Sequence, residues 1–388
     1  MVRLSDRLEG LSSSLTLDIL ARANTLKKKG IDIVNFAAGE PDFPTPPLIR
    51  QATVTALEEG FTRYTPATGI PELKEAIVKK FKQDNQISYE ASQIVVSCGA
   101  KHSLFNLLQV LCNDGDEVLF GSPYWVSYPE FVRLAGGKPV PVPTEASQSF
   151  RLTRNVIERF LTKKTKVLIL NSPANPTGSV YEKEELEAIA HLAVSKDLFV
   201  ISDEIYEKLI FDGLVHYTPA ALCPDLKSRV IVVNGFSKVY AMTGWRLGYL
   251  AAEKEIAQMV STLQSHSTSN PTSFAQQAAQ AALEGPQNEV AERGRVFEKR
   301  RNLICQELDK IPQLSYVRPH GAFYVFCGIE KTGLDSIRLS DKLLDEARVA
   351  VVPGIVFGDD QAIRLSFALS EKEIVEGIQR IGQWLNKK

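Results

Sequence analysis

The sequence predicts an α/β protein in which a large domain with a mostly parallel sheet precedes a smaller α+β domain. Short apolar runs alternate with longer helical patterns between about residues 50 and 285, and this alternation favours a parallel sheet with helices on both faces. After Gly285-Pro286 the pattern changes to a long charged helix followed by short strands. With 388 residues the chain is also long enough for two domains.

Five short apolar runs are predicted to be the buried strands of the large sheet. They are Ile94–Ser97, Glu117–Phe120, Val167–Leu170, Phe199–Ser202 and Val230–Val233. Helical patterns, such as Lys101–Leu111 and Lys183–Lys196, lie between them. Because ligands of such sheets bind at the carboxyl ends of the strands, the polar residues directly after each run are the candidate functional residues.

The smaller domain is predicted from a different pattern near the end of the chain. Its elements are a helix from Asn288 to about Lys310, strands at Phe323–Phe326, Val349–Val352 and Ala362–Phe367, and a final helix from Glu371. The basic residues of the long helix are interpreted as its solvated face. We expect an N-terminal segment (1–48) that packs with the small domain (288–388), and a large domain at 49–287.

Composition favours small-molecule chemistry. A net charge of −1 provides no basic field for nucleic acid or for a membrane surface. Five widely spaced cysteines without a Cys-x-x-Cys pair indicate reduced thiols, and the five histidines lack metalloprotease spacing, so no catalytic metal is expected. No signal peptide or membrane-spanning run is recognisable, so a cytoplasmic location is expected, with a removed plastid leader left open.

A lysine, a hydroxyl and a guanidinium are expected to converge after the run Val230–Val233. Ser237 and Lys238 follow this run, and Thr243-Gly244 allows a turn that returns Arg246 to the same space. The amine could form a Schiff base with an aldehyde cofactor, while the hydroxyl and the guanidinium bind its phosphate. A Ser-Lys pair alone is more often an exposed loop, so the interpretation depends on the other strand ends.

The other strand ends carry matching groups. Gly99 and Ala100 open a helix whose free N–H groups suit an anion. Asn175, in a loop stiffened by two prolines and a glycine, could donate to a phenolate oxygen, although turn chemistry also explains it. Asp203 needs a cation such as a pyridinium, or is a helix N-cap, and Tyr206 could reach the ring oxygen. Together these groups match pyridoxal phosphate.

Several motifs resemble those of class I aminotransferases, enzymes of the PLP fold type I. They are Asn-Pro-Thr-Gly (175–178), Ser-Asp-Glu-Ile-Tyr (202–206), Ser-Lys-x₇-Arg-x-Gly (237–248), Ala-Gly-Glu-Pro-Asp-Phe (38–43), Arg-Tyr-Thr-Pro (63–66), Pro-Tyr-Trp-Val-Ser-Tyr-Pro (123–129), Gly-Ala-Phe-Tyr (321–324) and Ile-Arg-Leu-Ser (363–366). The resemblance covers nearly the whole chain. It is greatest to the prokaryotic-type (Ib) aspartate aminotransferases, a branch that includes prephenate aminotransferases.

The resemblance implies a role for each matching residue. Lys238 would hold the cofactor and move the proton, Asp203 would keep the pyridine nitrogen protonated, and Trp125 would stack on the ring. The ring oxygen would be bound by Asn175 and Tyr206. The phosphate end would involve Gly99, Ala100, Lys101, Ser237 and Arg246, with Tyr64 contributed by a second subunit of a homodimer. Arg364 would bind the substrate α-carboxylate with help from the backbone of Gly39.

The amino-acid substrate depends on the distal carboxylate. The resemblance implies that Lys101 binds it, with a hydroxyl from Thr16 or Ser14, although a solvated lysine is the simpler interpretation of Lys101. The expected reaction is aspartate plus 2-oxoglutarate to oxaloacetate plus glutamate. The same residues could accept the ring carboxylate of prephenate, so prephenate or dual use is the alternative. A PLP-dependent C–S lyase is less favoured. A DNA-binding regulator is not indicated either, because no additional basic domain is recognisable in the sequence.

Overall fold

The computed structural model describes Ser5, Leu8, Leu11 and residues 15–387. Its α-helices are α1 Leu15–Lys28, α2 Pro47–Glu58, α3 Pro71–Lys80, α4 Ala100–Leu111, α5 Ser127–Leu134, α6 Arg154–Phe160, α7 Lys183–Ser195, α8 Pro219–Leu222, α9 Lys254–Ser267, α10 Ser273–Glu284, α11 Asn288–Leu308, α12 Ser336–Asp345 and α13 Glu371–Leu385. Within this described part, no helix is long and apolar enough to cross a membrane.

The strands form three sheets in the described residues. Their bounds are β1 Val34–Asn35, β2 Ile94–Ser97, β3 Glu117–Ser122, β4 Lys138–Pro143, β5 Thr165–Asn171, β6 Phe199–Asp203, β7 Val230–Gly235, β8 Gly248–Ala251, β9 Ser315–Tyr316, β10 Tyr324–Gly328, β11 Val349–Ala350, β12 Val352–Pro353 and β13 Ala362–Ser366. The largest sheet has the order β2-β8-β7-β6-β5-β3-β4. Only β8 runs antiparallel to its neighbours in this sheet.

The large sheet confirms the predicted α/β class and all five predicted strands. Successive strand residues point to opposite faces, as the pleat requires. Val96, Leu168 and Val232 pack in the apolar cluster on one face, whereas their neighbours Val95 and Val167 pack in the cluster on the other. Helices therefore cover both faces, and the carboxyl ends of β5, β6 and β7 open at the same edge.

Two strands of the large sheet escaped prediction. The β4 sequence Lys-Pro-Val-Pro-Val-Pro carries three prolines, which a central strand does not tolerate. It occupies the edge of the sheet, where missing N–H groups are harmless. The strand β8 begins two residues after Arg246 and has the sequence Gly-Tyr-Leu-Ala, in which glycine and alanine are disfavoured in strands, so it was not recognised as a strand.

The second unit contains the four-stranded sheet β12-β13-β10-β9, covered by the packed pair α11 and α13. The run Val349–Val352, predicted as one strand, is instead divided between two sheets. Its first half, β11, pairs in parallel with β1 of the N-terminal segment, whereas β12 pairs with β13. The apolar cluster around β10 also contains Ile205 and Tyr206, so this unit packs directly on the carboxyl end of β6.

Candidate active site

A cavity of about 890 Å³ lies at the carboxyl ends of β5, β6 and β7, beneath β10 and β13. Twelve of the site residues predicted from the sequence line it: Thr16, Gly39, Ala100, Lys101, Trp125, Asn175, Asp203, Tyr206, Ser237, Lys238, Arg246 and Arg364. Gly99 adjoins the cavity through the Arg246 guanidinium. Tyr64 lies outside it and is 89% exposed. Ser14 lies outside the described residues.

Lys238 lies after β7 with its ammonium nitrogen inside the cavity. The Nζ atom donates a hydrogen bond of 2.5 Å to the carbonyl oxygen of Gly39. Burial, together with the positive charge of Arg364, lowers the pKa of Lys238 to about 8. The neutral amine, which is the form that acts as a nucleophile or a base, is therefore accessible close to neutral pH.

Asp203 is a buried carboxylate at the end of β6. The Tyr128 hydroxyl donates to its Oδ2 at 2.7 Å, and the backbone N–H of Ile205 donates to its Oδ1 at 3.4 Å. Burial raises the pKa of Asp203 to about 6, although both hydrogen bonds oppose the rise. No cation of the described residues lies within ion-pair distance of it, so the carboxylate can accept a cationic N–H from a ligand.

Tyr128→Phe is expected to weaken this acceptor. A hydrogen bond to a charged group contributes about 1.5–3 kcal/mol, so its loss should raise the pKa of Asp203 by about one unit or more. We expect the acid limb of the kcat/KM profile to move to higher pH by a similar amount. The control is Tyr89→Phe, because the buried Tyr89 hydroxyl has no hydrogen-bond partner among the described residues. An unchanged acid limb in Tyr128→Phe would contradict the prediction.

Asn175 is held by two side chains from different parts of the chain. Its backbone N–H donates to Asn171 Oδ1 at 2.9 Å, and the Asn171 amide donates to the Asp203 carbonyl at 3.0 Å. Arg364 Nη1 donates to Asn175 Oδ1 at 3.0 Å. Because the Asn175 oxygen is used as an acceptor, its NH₂ group remains to donate to a ligand oxygen.

Arg364 on β13 is only 3% exposed. Its Nη2 donates to the Ala37 carbonyl at 3.1 Å, and its guanidinium carbon lies 4.3 Å from the centre of the Tyr324 ring. Burial lowers the pKa of Arg364, and its Nε has no partner among the described residues. A buried guanidinium with an unused donor that lines a cavity is suited to bind a carboxylate.

The phosphate end of the site depends on two glycines. Gly99 precedes α4 with φ of 92°, and a Cβ there would lie 2.6 Å from Arg246 Nη2. A Cβ at Gly248 would lie 2.1 Å from the Ala100 nitrogen, so β8 can pass beneath this turn only as glycine. The guanidinium, the Ser237 hydroxyl and the N-terminus of α4 thus surround a space suited to a phosphate.

Lys101 lies at the rim of the cavity, partly in contact with solvent. As a whole residue it is exposed, but its ammonium lies 5.1 Å from the centre of the Trp125 ring, where burial and the charge of Arg246 lower its pKa. No acidic side chain of the described residues pairs with it. The Thr16 hydroxyl is buried and likewise lacks a partner in the described part of the chain. Both groups could therefore take a further anion at this end of the cavity.

Among the side chains that hydrogen-bond to predicted site residues, Tyr128, Asn171 and Tyr324 had been assigned no role from the sequence. Asn171 is the last residue of β5, so the rule that ligands bind at strand ends could have identified it. Tyr128 follows Trp125 by one helical turn, which places the two rings 5.4 Å apart. Tyr324 ends the motif Gly-Ala-Phe-Tyr (321–324), but no role was predicted for its side chain, whose hydroxyl lies 2.9 Å from that of Tyr206.

Comparison with known proteins agrees with this geometry. The family model described as aminotransferase class I and II matches residues 31–381. The chain is 46% identical to an aspartate aminotransferase of Bacillus sp. (strain YM-2), covering 98% of this chain and 99% of that protein. It is also 46% identical to a probable aspartate/prephenate aminotransferase of Aquifex aeolicus, covering 99% of each. A structure of the Thermus thermophilus aspartate aminotransferase with maleate superposes with a TM-score of 0.94 at 42% identity, covering 99% of this chain and 100% of that one.

Proposed function

The chain belongs to the class I and II aminotransferase family, and on that premise we propose that it transfers the amino group of aspartate to 2-oxoglutarate. The products are oxaloacetate and glutamate, and the cofactor is pyridoxal 5′-phosphate. One observation carries the proposal: three groups line the same cavity, namely a lysine with a lowered pKa, a buried carboxylate and a buried arginine. Among the described residues, the carboxylate has no cation within ion-pair distance and the arginine Nε has no hydrogen-bond partner. The three groups are Lys238, Asp203 and Arg364.

The donor set fits this cofactor. The Gly99 turn and Arg246 suit its phosphate, Asp203 suits a protonated ring nitrogen, and the free NH₂ of Asn175 suits its ring oxygen. When bound, pyridoxal phosphate supplies an electron sink for the carbanion formed at the substrate Cα. Tyr206 would donate to the ring oxygen from the other side, and Trp125 would cover the ring.

The remaining roles belong to side chains of this chain. Lys238 would hold the cofactor through its side-chain nitrogen, and the amine would become free when the substrate amine takes its place. The released neutral amine would then remove the proton from the substrate Cα and return it one carbon away. Arg364, with the backbone at Gly39, would hold the α-carboxylate so that this Cα faces Lys238. Asp203 would keep the ring nitrogen protonated throughout.

A dicarboxylic substrate is favoured by the ammonium of Lys101, which pairs with no acidic side chain in the described part of the chain. We propose that it binds the distal carboxylate, with the Thr16 hydroxyl as a further donor. Two comparisons support this choice: the Bacillus relative is named for aspartate, and the Thermus structure contains maleate, which is a dicarboxylate.

Lys101→Met tests the substrate contact. Losing a charged hydrogen bond should lower kcat/KM for aspartate by about 10- to 100-fold, whereas the residual rate with alanine, which has no distal carboxylate, should be unchanged. The exposed Lys196 at the end of α7 provides the control Lys196→Met. Equal losses with aspartate and alanine would contradict a role in binding the distal carboxylate.

A second candidate substrate is prephenate. The Aquifex relative is named a probable aspartate/prephenate aminotransferase, and the ring carboxylate of prephenate could bind Lys101 in the same way. Steady-state kinetics with the pairs aspartate/2-oxoglutarate and glutamate/prephenate distinguish the two activities. No turnover of aspartate would contradict the main proposal. Pyruvate and ammonia released without an amino acceptor would instead indicate a lyase.

We also propose that the active form is a homodimer. The phenol of Tyr64 is 89% exposed, and Leu48, Val54 and Leu57 of the nearby segment are each more than 40% exposed. Apolar exposure of this kind is typical of an interface. Sedimentation should give about twice the 43.0 kDa of one chain, and a monomer at assay concentration would contradict the proposal.

A further inference from the structure

Tyr324 lies where the second unit meets the large sheet. It begins β10, and its hydroxyl is 2.9 Å from that of Tyr206, which follows β6. The Arg364 guanidinium lies over the Tyr324 ring, with its carbon atom 4.3 Å from the ring centre. Both tyrosines are almost fully buried. One phenol therefore contacts both the residue expected at the ring oxygen and the residue expected at the substrate carboxylate.

The hydrogen-bond direction follows from counting protons. Each tyrosine hydroxyl has one proton to donate. If Tyr206 donates to the cofactor ring oxygen, its bond with Tyr324 must be one in which Tyr324 donates. Successive donors strengthen one another, so the strength of the Tyr206 donation depends on how good a donor Tyr324 is.

Arg364 influences that donor strength. Burial raises the pKa of Tyr324, and the positive charge of Arg364 opposes this rise, which makes the phenol a better donor than it would otherwise be. A carboxylate bound to Arg364 would offset that charge. The Tyr324 phenol would then be less acidic, and the Tyr206 hydroxyl would donate more weakly to the ring oxygen.

We propose that Tyr324 is a positioning residue that transmits occupancy of the Arg364 carboxylate site to the cofactor ring oxygen through the Tyr206 hydroxyl. The inference rests on the proposed function, because it assigns the ring oxygen to Tyr206. It adds a second path to the direct contact between Arg364 and Asn175. Through the path from Arg364 to Tyr324 and Tyr206, the strength of the hydrogen bond to the cofactor ring oxygen changes when the substrate carboxylate binds.

Other charged groups also face the two hydroxyls. Burial raises the pKa of Tyr206 and Asp203 adds to the rise, Glu40 faces Tyr324, and Lys238 Nζ lies 5.9 Å from the centre of the Tyr206 ring. Tyr324→Phe leaves all of these groups in place and keeps the ring beneath Arg364. The variant therefore isolates the hydroxyl.

The test is a pH titration of the visible absorbance of the protein loaded with pyridoxal phosphate, with and without succinate, a dicarboxylate that has no amino group to transfer. In the wild type, succinate should raise the apparent pKa of the bound cofactor. Tyr324→Phe should raise the pKa without succinate by about half a unit, the size of one neutral hydrogen bond, and should at least halve the succinate-induced rise. In a Tyr206→Phe background, adding Tyr324→Phe should change neither value.

The matched control is Tyr316→Phe on the neighbouring strand β9. Its hydroxyl donates to Asp309 Oδ1 at 2.7 Å and lies 3.1 Å from the Cys305 carbonyl oxygen, away from the cavity residues, so the variant should titrate like the wild type. A wild-type titration and succinate response in Tyr324→Phe would overturn the proposal, as would effects that add to those of Tyr206→Phe. A wild type that binds no pyridoxal phosphate would instead contradict the proposed function.

Discussion

Replacing Lys238 by alanine is expected to abolish transamination, with a fall in kcat/KM of at least about 10⁴-fold. The variant loses both the nucleophile that bonds to the cofactor and the base that moves the substrate proton. Lys238 is buried and its pKa is lowered to about 8, so its neutral amine is accessible close to neutral pH. The visible absorbance of the covalently bound cofactor should disappear together with the activity.

Lys238→Arg provides the matched control for charge. Arginine keeps the positive charge but is never deprotonated in proteins, so it can act neither as the nucleophile nor as the neutral base. Both variants should therefore be inactive, and only the wild type should be trapped covalently by borohydride in the presence of pyridoxal phosphate. Turnover or covalent trapping in Lys238→Ala would contradict the assignment of this lysine.

Asp203→Asn is expected to have opposite effects on catalysis and on stability. Breaking a buried ionic contact costs about 3–5 kcal/mol, so loss of the contact with the ring nitrogen should lower kcat by about 10²- to 10⁴-fold. In the protein without cofactor, the same carboxylate has no cationic partner among the described residues. Its removal should therefore increase the free energy of unfolding of the apoprotein at neutral pH.

The sign of this stability effect follows from the pKa. Burial raises the folded-state pKa of Asp203 to about 6, above the value of about 3.9 for an unfolded chain. The folded apoprotein therefore binds the proton more tightly, and it loses stability as the pH rises from about 4 to about 6. The two-unit difference corresponds to about 2–3 kcal/mol. Asparagine cannot ionise, so Asp203→Asn should avoid this loss above pH 6.

Urea unfolding of the apoproteins at pH 4 and at pH 7.5 measures this difference. The gain in Asp203→Asn should be present at pH 7.5 and largely absent at pH 4. The exposed Asp225 provides the control Asp225→Asn, which should show no such pH-dependent gain. A less stable Asp203→Asn apoprotein at pH 7.5 would mean that the carboxylate is better compensated than its contacts indicate.

Much of the candidate site could be predicted because its residues follow strands that a few consecutive residues are enough to identify. Asp203 and Asn175 stand at or shortly after the ends of buried strands, and Lys238 follows another strand at a short distance. An apolar run and the point where it ends depend on a few consecutive residues. The parallel arrangement then brings the carboxyl ends of these strands to one edge of the sheet. The rule that ligands bind at this edge was therefore sufficient to predict that the side chains lie close together.

The residues that escaped prediction depend on long-range packing. Tyr128 and Asp203, which are hydrogen-bonded, are 75 residues apart in the sequence. Tyr206 and Tyr324, which are also hydrogen-bonded, are 118 residues apart. Neither contact leaves a periodic signal. The division of Val349–Val352 between two sheets has the same origin, because it depends on whether β1 or β13 is the neighbouring strand.

The sequence by itself determined the α/β class, the main strands and the resemblance to aminotransferases, and it predicted site roles for the lysine, carboxylate and arginine that line the cavity. Only the tertiary structure decided how these groups are tuned. The pKa of Asp203 depends on its depth of burial and on the Tyr128 hydroxyl, and that of Lys238 on its burial and on Arg364. Burial and charge act through space rather than along the chain. The docking of β10 and β13 over the carboxyl end of β6 is what brings those distant groups within range.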